Sequence, residues 1–299
     1  MNLNDLRARP ELLPTYLFHQ RIRETPVGGG SICQARRLTL EDGASLFAKS
    51  YGDGDGSAPE HFFATEAAGL RWLGEAMASG GAPVPEVIVA LPDLLALSWV
   101  EPGEPSPGAA ERFGRELAAT HRAGAEAFGA PWPGFIGSLP QDNTLTPVEQ
   151  GWAEWFVTRR LEPYLDLAAR RGGLSPSDVA KVRSLLDRVP DLAPPPEPPA
   201  RLHGDLWPGN VLWAADGRAW LVDPAAHGGH RETDLAELAL FGGAPYLDRI
   251  LAAYHEAWPL PDGWRERVPL HQLHLLLVHV ALFGSAYRGS VMAAVAALS

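Results

Sequence analysis

Only one cysteine, Cys33, stands among the 299 residues, so no internal disulfide can form and no multi-cysteine zinc site exists. Ten histidines are present, but none falls in the H-E-x-x-H spacing of a helical zinc site. Basic residues are few beside acidic ones: 25 Lys and Arg against 36 Asp and Glu give a formal charge of −11. That balance excludes a general binder of nucleic acid or of anionic membranes, although a local loop can still hold phosphates. The amino-terminal stretch MNLNDLRARPELL has no apolar signal core. Long hydrophobic runs are missing too, since the longest, near Leu275 to Phe283, is interrupted by His279 and is too short for a bilayer. No repeat of fixed period is evident. The class that remains is a cytoplasmic globular enzyme or binding protein, with length for one large domain or two lobes.

The first hundred residues carry mixed α/β signals. Arg36–Leu40 and Ala44–Lys49 flank Glu41-Asp42-Gly43, a turn that closes a hairpin. Residues 51–59 form a loop by composition, and Phe63, Ala67, Leu70 and Leu73 then recur at helical spacing over 62–77. Strand-like runs at 86–90 and 94–100 end in Glu101-Pro102-Gly103-Glu104-Pro105, a linker between lobes. Helical patterns follow at 109–127, 150–171 and 176–187, and then six prolines between 190 and 199 stiffen a surface connection. After a short hairpin over 211–222 the chain reads mostly helical beyond Thr233. The expectation is α+β: a small antiparallel β-lobe with one main helix, residues 1–101, and a larger, mostly helical lobe, residues 102–299.

The stretch His203-Gly204-Asp205-Leu206-Trp207-Pro208-Gly209-Asn210 carries the strongest chemical signal. Asp205 and Asn210 have the D-x4-N spacing of a kinase catalytic loop, where the Asp orients a hydroxyl and the Asn holds Mg²⁺. The hairpin that follows returns the chain to the same place and delivers Asp223 beside Asn210, giving a hard cation two oxygen ligands. An Asx-rich turn is the bland reading, because Asp, Gly, Pro and Asn all favour turns. The register of the hairpin argues against it. Upstream, Gly28-Gly29-Gly30-Ser31 precedes a strand and could let backbone amides approach phosphates, or be an ordinary flexible turn. Lys49 ends the second hairpin strand and Glu66 lies early on the following helix, in the order of a phosphate-binding lysine and its partner.

HGDLWPGN followed by VDPAAHGGHRETDLAELALFGG resembles the fructosamine kinase (ketosamine-3-kinase) family, over nearly the whole chain. Phe135-Ile136-Gly137, Trp152-Ala153-Glu154-Trp155-Phe156 and Arg159-Arg160-Leu161 resemble its helical-lobe signatures. Aminoglycoside and choline kinases share the Asp and Asn without the Gly-Asp-Leu-Trp wording or the Asp-Pro. The departures are Pro208, where the family often has serine, and Ser98, where it usually has an acid.

The resemblance implies a protein-kinase-like bilobal fold and ATP-dependent, Mg²⁺-assisted phosphorylation of the 3-hydroxyl of a ketosamine, free or protein-bound, after which the product decomposes and frees the amine. It casts Asp205 as catalytic, Asn210 and Asp223 as metal ligands, and Gly28, Gly29, Gly30, Ser31, Lys49 and Glu66 as nucleotide-binding, with Trp99 and Val100 in the adenine hinge. Trp207 and His227 are candidate substrate contacts, and Asp234 a buttress of the loop. A kinase of an aminoglycoside or choline-like compound is the alternative enzyme. A dead scaffold is disfavoured by the presence of Lys49, Glu66, Asp205, Asn210 and Asp223 together. Cys33 could support a redox-linked homodimer, against the plainer reading of a half-buried thiol in a reducing compartment.

Overall fold

The computed structural model describes residues 2–19, 22–28, 32–51 and 58–299. Two short helices, α1 (Leu3–Ala8) and α2 (Leu13–Phe18), precede the strands β1 (Arg23–Val27), β2 (Cys33–Thr39) and β3 (Ser45–Tyr51). Helix α3 (Phe62–Glu75) follows, and then β4 (Val87–Ala90) and β5 (Leu94–Ser98) complete an antiparallel sheet in the order β1-β2-β3-β5-β4.

Strand periodicity sorts the side chains of this sheet. Leu46, Ala48 and Ala96 pack with Leu6, Leu13 and Ile88 in one apolar cluster, while Phe47, Leu95 and Leu97 face the other way, toward Phe63, Ala67 and Leu70 of α3. Lys49 is two residues from Phe47 and shares its face, opposite Ala35 on β2 and Leu95 on β5. The helical spacing that buries Phe63 and Leu70 also brings Glu66 onto the inner side of α3.

The rest is mainly helical: α4 (Pro107–Arg122), then the small hairpin β6 (Gly134–Ile136) and β7 (Leu139–Gln141), then α5 (Trp152–Phe156) and α6 (Glu162–Arg170). Residues Val157–Leu161 between α5 and α6 form a π-helical turn, so the single helix expected over 150–171 contains one extra-wide turn. Next come α7 (Pro176–Leu186), α8 (Val189–Leu192), the strands β8 (Ala200–Leu202), β9 (Val211–Trp213), β10 (Ala219–Leu221) and β11 (His227–Gly229), and helices α9 (Glu232–Glu237), α10 (Leu247–Ala257), α11 (Trp264–Phe283) and α12 (Arg288–Ala297). The β9–β10 hairpin matches the sequence expectation, whereas β11 pairs antiparallel with β8, a contact between distant segments that local pattern did not signal.

The helical stretch Trp264–Ala297 is long and apolar enough by composition to cross a membrane. Within the fold it turns at Gly284, and Leu270, Leu273, Leu277 and Val280 of α11 are buried in the core shared with α6 and α12.

Helices α4 and α10 cross at Gly114, where a methyl group would run into the Ile250 carbonyl, the Tyr254 amide and Ala253. Gly114→Ala should therefore destabilise the fold by at least about 1–3 kcal/mol through overpacking, despite the better helix propensity of Ala. Urea midpoints check this, and an unchanged midpoint would mean that α10 shifts outward freely.

Candidate active site

Strand β8 feeds directly into the loop His203–Leu206, and Gly204 turns it with φ +79°, a backbone region that favours glycine. Two carboxylates of α9 hold the loop through its peptide groups. The His203 and Gly204 amides donate to Asp234 Oδ2 at 2.8 Å and Oδ1 at 2.9 Å, and the Leu206 amide donates to Glu237 Oε2 at 2.7 Å. Asp234 also meets His121 Nε2 at 3.0 Å, and Nδ1 of that ring lies 2.9 Å from the Tyr254 hydroxyl. His203 Nε2 donates to the Val222 carbonyl at 2.9 Å, while its Nδ1 accepts from the Asp205 amide at 3.3 Å. Burial holds this imidazole below its ordinary pKa, which suits the neutral tautomer those two bonds require. His203 is thus a brace of the loop.

The turn at Pro208–Asn210 brings the Asn210 amide nitrogen to the Asp205 carbonyl (2.8 Å), to Asp205 Oδ2 (3.1 Å) and to the Asp223 carbonyl (3.4 Å). The Val222 amide donates to the Asn210 carbonyl at 3.1 Å, one step beyond the Val211–Leu221 pair of the hairpin. Asp223 follows with φ +54°, a left-handed conformation that Asp tolerates better than most residues. Its Oδ1 accepts from Lys49 Nζ at 2.7 Å, and Glu66 Oε2 lies 2.6 Å from the same ammonium.

The electrostatics follow from burial and from this crowding of charge. Burial alone would lower Lys49, but Asp223 and Glu66 outweigh it and hold the ammonium above its ordinary value. Glu66 is pushed up to about 7, by burial first, against the pull of Lys49. Asp205 rises well above the carboxylate range through burial and the nearby Asp223 charge. Asp223 is held down because Lys49 overcomes the burial cost. Two carboxylates whose environments push them apart mark one as the group able to take a proton and the other as the one that stays charged.

All of these groups border one cavity of about 630 Å³. Gly28, Trp99 and Val100 also line it, and so does Trp207, whose ring packs over Gly209 and edge-on to Phe241 at 5.9 Å. Gly29, Gly30 and Ser31 lie outside the described residues. Apolar walls come from Val27, Ala35, Phe47 and Leu97 of the sheet and Leu212 of the hairpin. Cys33 lines the cavity from β2, and burial pushes its thiol up to about 11, which leaves little thiolate at neutral pH.

The structure corrects the expectation for His227. Its ring is buried under Trp155, its Nδ1 donates to the Ala225 carbonyl at 2.8 Å, and it is not among the residues lining the cavity. The β8–β11 pairing turns it inward. His230 is buried as well, in a cluster with Glu232 and His271 where the Arg267 fork already neutralises Glu232. Sequence reasoning missed His279, which lines the cavity from α11, and Glu237 and His121, which stand behind the loop.

The sequence profile of the fructosamine kinase family matches residues 15–298. The chain belongs to the fructosamine kinase family. A crystal structure from Thermobifida fusca assigned as a fructosamine-3-kinase is 51% identical with a TM-score of 0.86, covering 93% of each chain. The protein-ribulosamine 3-kinase of rice (Oryza sativa subsp. indica) is 33% identical over 89% of this chain and 75% of its own length. A choline kinase from Streptococcus pneumoniae, at 15% identity over 97% of this chain and 98% of its own, has a TM-score of 0.62 and shares the fold. The architecture of this fructosamine kinase family member is accordingly the α+β, protein-kinase-like, two-lobed one.

Proposed function

We propose that this protein transfers the γ-phosphoryl group of ATP to the 3-hydroxyl of a ketosamine such as a fructosamine or ribulosamine, leading to deglycation of the amine. Membership of the family supports the reaction class. The observation that carries the residue roles is the convergence of Lys49, Asp205, Asn210 and Asp223 on one cavity with an apolar end. Asp205 orients the acceptor hydroxyl and takes its proton. Lys49, held by Glu66, holds the phosphates, as a strand lysine does in this type of kinase. Gly28 borders the phosphates, Trp99 and Val100 border the base, and Trp207 flanks the acceptor. Residues 1–101 are assigned as the nucleotide lobe and residues 102–299 as the catalytic lobe, a division supported by a cavity lined from both ranges.

The donor set suits Mg²⁺. The Asn210 amide nitrogen is committed to Asp205 and Asp223, which leaves its oxygen for a cation, and the Asp223 carboxylate is half exposed. Oxygen ligands of this kind match a hard cation that keeps waters and substrate phosphates as its other ligands. Bound there, Mg²⁺ would neutralise phosphate charge. The reducing cytoplasm is the compartment in which a lone, protonated Cys33 thiol persists.

The test is a screen of acceptors with ATP and Mg²⁺, read by phosphate position. Fructose- and ribulose-amine adducts should be phosphorylated on O3, and free aminoglycosides and choline should not. Phosphorylation of the latter with none on any ketosamine would overturn the assignment in favour of a kinase for another small hydroxyl compound.

A further inference from the structure

Arg160 is among the largest fully buried side chains, at 1% exposure, and among the described residues no carboxylate pairs with it as a salt bridge. Its sequence neighbour Arg159 pairs with Asp142, whose partly exposed carboxylate acts on Arg160 only without a direct ion pair. Arg160 lies within the π-helical turn at Val157–Leu161, and such turns occur often at functional positions. The guanidinium lies 4.5 Å over the ring of Trp155. Its NH1 donates to the carbonyls of Asp142 (2.6 Å) and Arg159 (3.2 Å), and NH2 to Asn143 Oδ1 (2.9 Å). These acceptors are neutral, and Arg160 Nε finds no partner among the described residues.

The surroundings repeat the same deficit. Trp155 Nε1 and His274 Nε2 are buried and without a partner among the described residues, and both residues are less than 3% exposed. His274 packs on Tyr164, four residues beyond Arg160, and His227 packs on Trp155. Burial, and after it the Arg160 charge, drives His227 down to about 3 and His274 well down, so both rings stay neutral and add no second positive charge. Gln141 donates to Asn143 Oδ1 at 3.4 Å, its Oε1 is a buried acceptor without a partner among the described residues, and the Tyr164 hydroxyl donates to the Pro140 carbonyl. A buried cation left without a counter-charge is among the costliest arrangements in a protein interior, and unpaired buried donors add to that cost.

We propose that a small monovalent anion, chloride in ordinary buffers, binds in the interior beside Arg160, with Arg160 Nε, Trp155 Nε1 and His274 Nε2 as its donors. The site lies between the α5–α6 helix and α11, behind the cavity wall formed by Leu275 and Val278. It is independent of the phosphoryl-transfer assignment. An anion that binds only the folded state raises stability in a saturable way.

Thermal midpoints at matched ionic strength should rise by about 2–4 °C in chloride or bromide over gluconate, with saturation. Trp155→Phe and His274→Leu each remove one donor and should shift the half-saturating halide concentration upward. Arg160→Gln, if it folds, should abolish the dependence. Bromide-soaked crystals should give an anomalous peak beside Arg160. Midpoints that coincide in halide and gluconate would overturn the proposal and point to buried water as the partner. So would a halide effect unchanged in both donor variants, which marks a general salt effect, or bromide found only elsewhere.

Discussion

Replacing Asp205 by Asn is expected to lower turnover by about 10²–10⁴-fold while changing nucleotide affinity little, because in the proposed mechanism the group lost acts on the acceptor proton. The same variant should be more stable than the wild type at neutral and alkaline pH. In the fold, Asp205 is raised by burial and by the charge of Asp223, so its ionisation works against folding. For a carboxylate whose folded pKa exceeds its unfolded one, stability falls as pH climbs from the ordinary aspartate value to the raised one. The advantage of the variant is then full above the raised value and vanishes below the ordinary one. Turnover of the wild type should fall as pH drops through that raised value, since the base must be ionised to accept a proton. Steady-state rates, nucleotide titrations and melting curves across pH check all three statements. A variant with wild-type turnover on every active ketosamine would remove Asp205 from its role.

What could be read from the chain was whatever is local in it. Asp205 and Asn210 are linked by one turn, and Asp223 by one short hairpin, so spacing alone forecast their meeting, and the 2.8–3.4 Å contacts of the Asn210 amide agree. Lys49 and Glu66 needed only a strand face and a helix face. Groups set by distant segments were not legible in the same way. His227 looked like a loop residue beside the site because nothing in 227–229 announces pairing with 200–202, and that pairing buries it. His279 belongs to an apolar helical run, where a histidine gives no sign of whether it faces the core or a cavity. The π turn at Val157–Leu161 leaves no mark in composition, and within it Arg160 is buried while Arg159 stays near the surface.

The same contrast sets the largest expected effect on stability, which falls on Asp234 rather than on any group at the cavity. Its side chain is fully buried, and its two oxygens accept the His203 and Gly204 amides while one also meets His121. Removing it strands two buried peptide N–H groups and a buried imidazole at once, and no water can reach them without opening the loop. Asp234→Ala should therefore cost about 3–5 kcal/mol, the range for breaking a buried charged network from one side. Burial would raise the Asp234 carboxyl, but the His121 contact and the Gly204 amide hold it below its ordinary value. A carboxylate with a depressed folded pKa contributes its full stability above its unfolded pKa and loses it as pH falls through the folded one. The gap between wild type and variant should accordingly be complete at pH 7 and close only in acid below the ordinary aspartate range. Urea titrations at a series of pH values measure it. A gap below about 1 kcal/mol at pH 7, the net worth of one ordinary hydrogen bond, would mean that the loop is held by Glu237 and the hairpin instead.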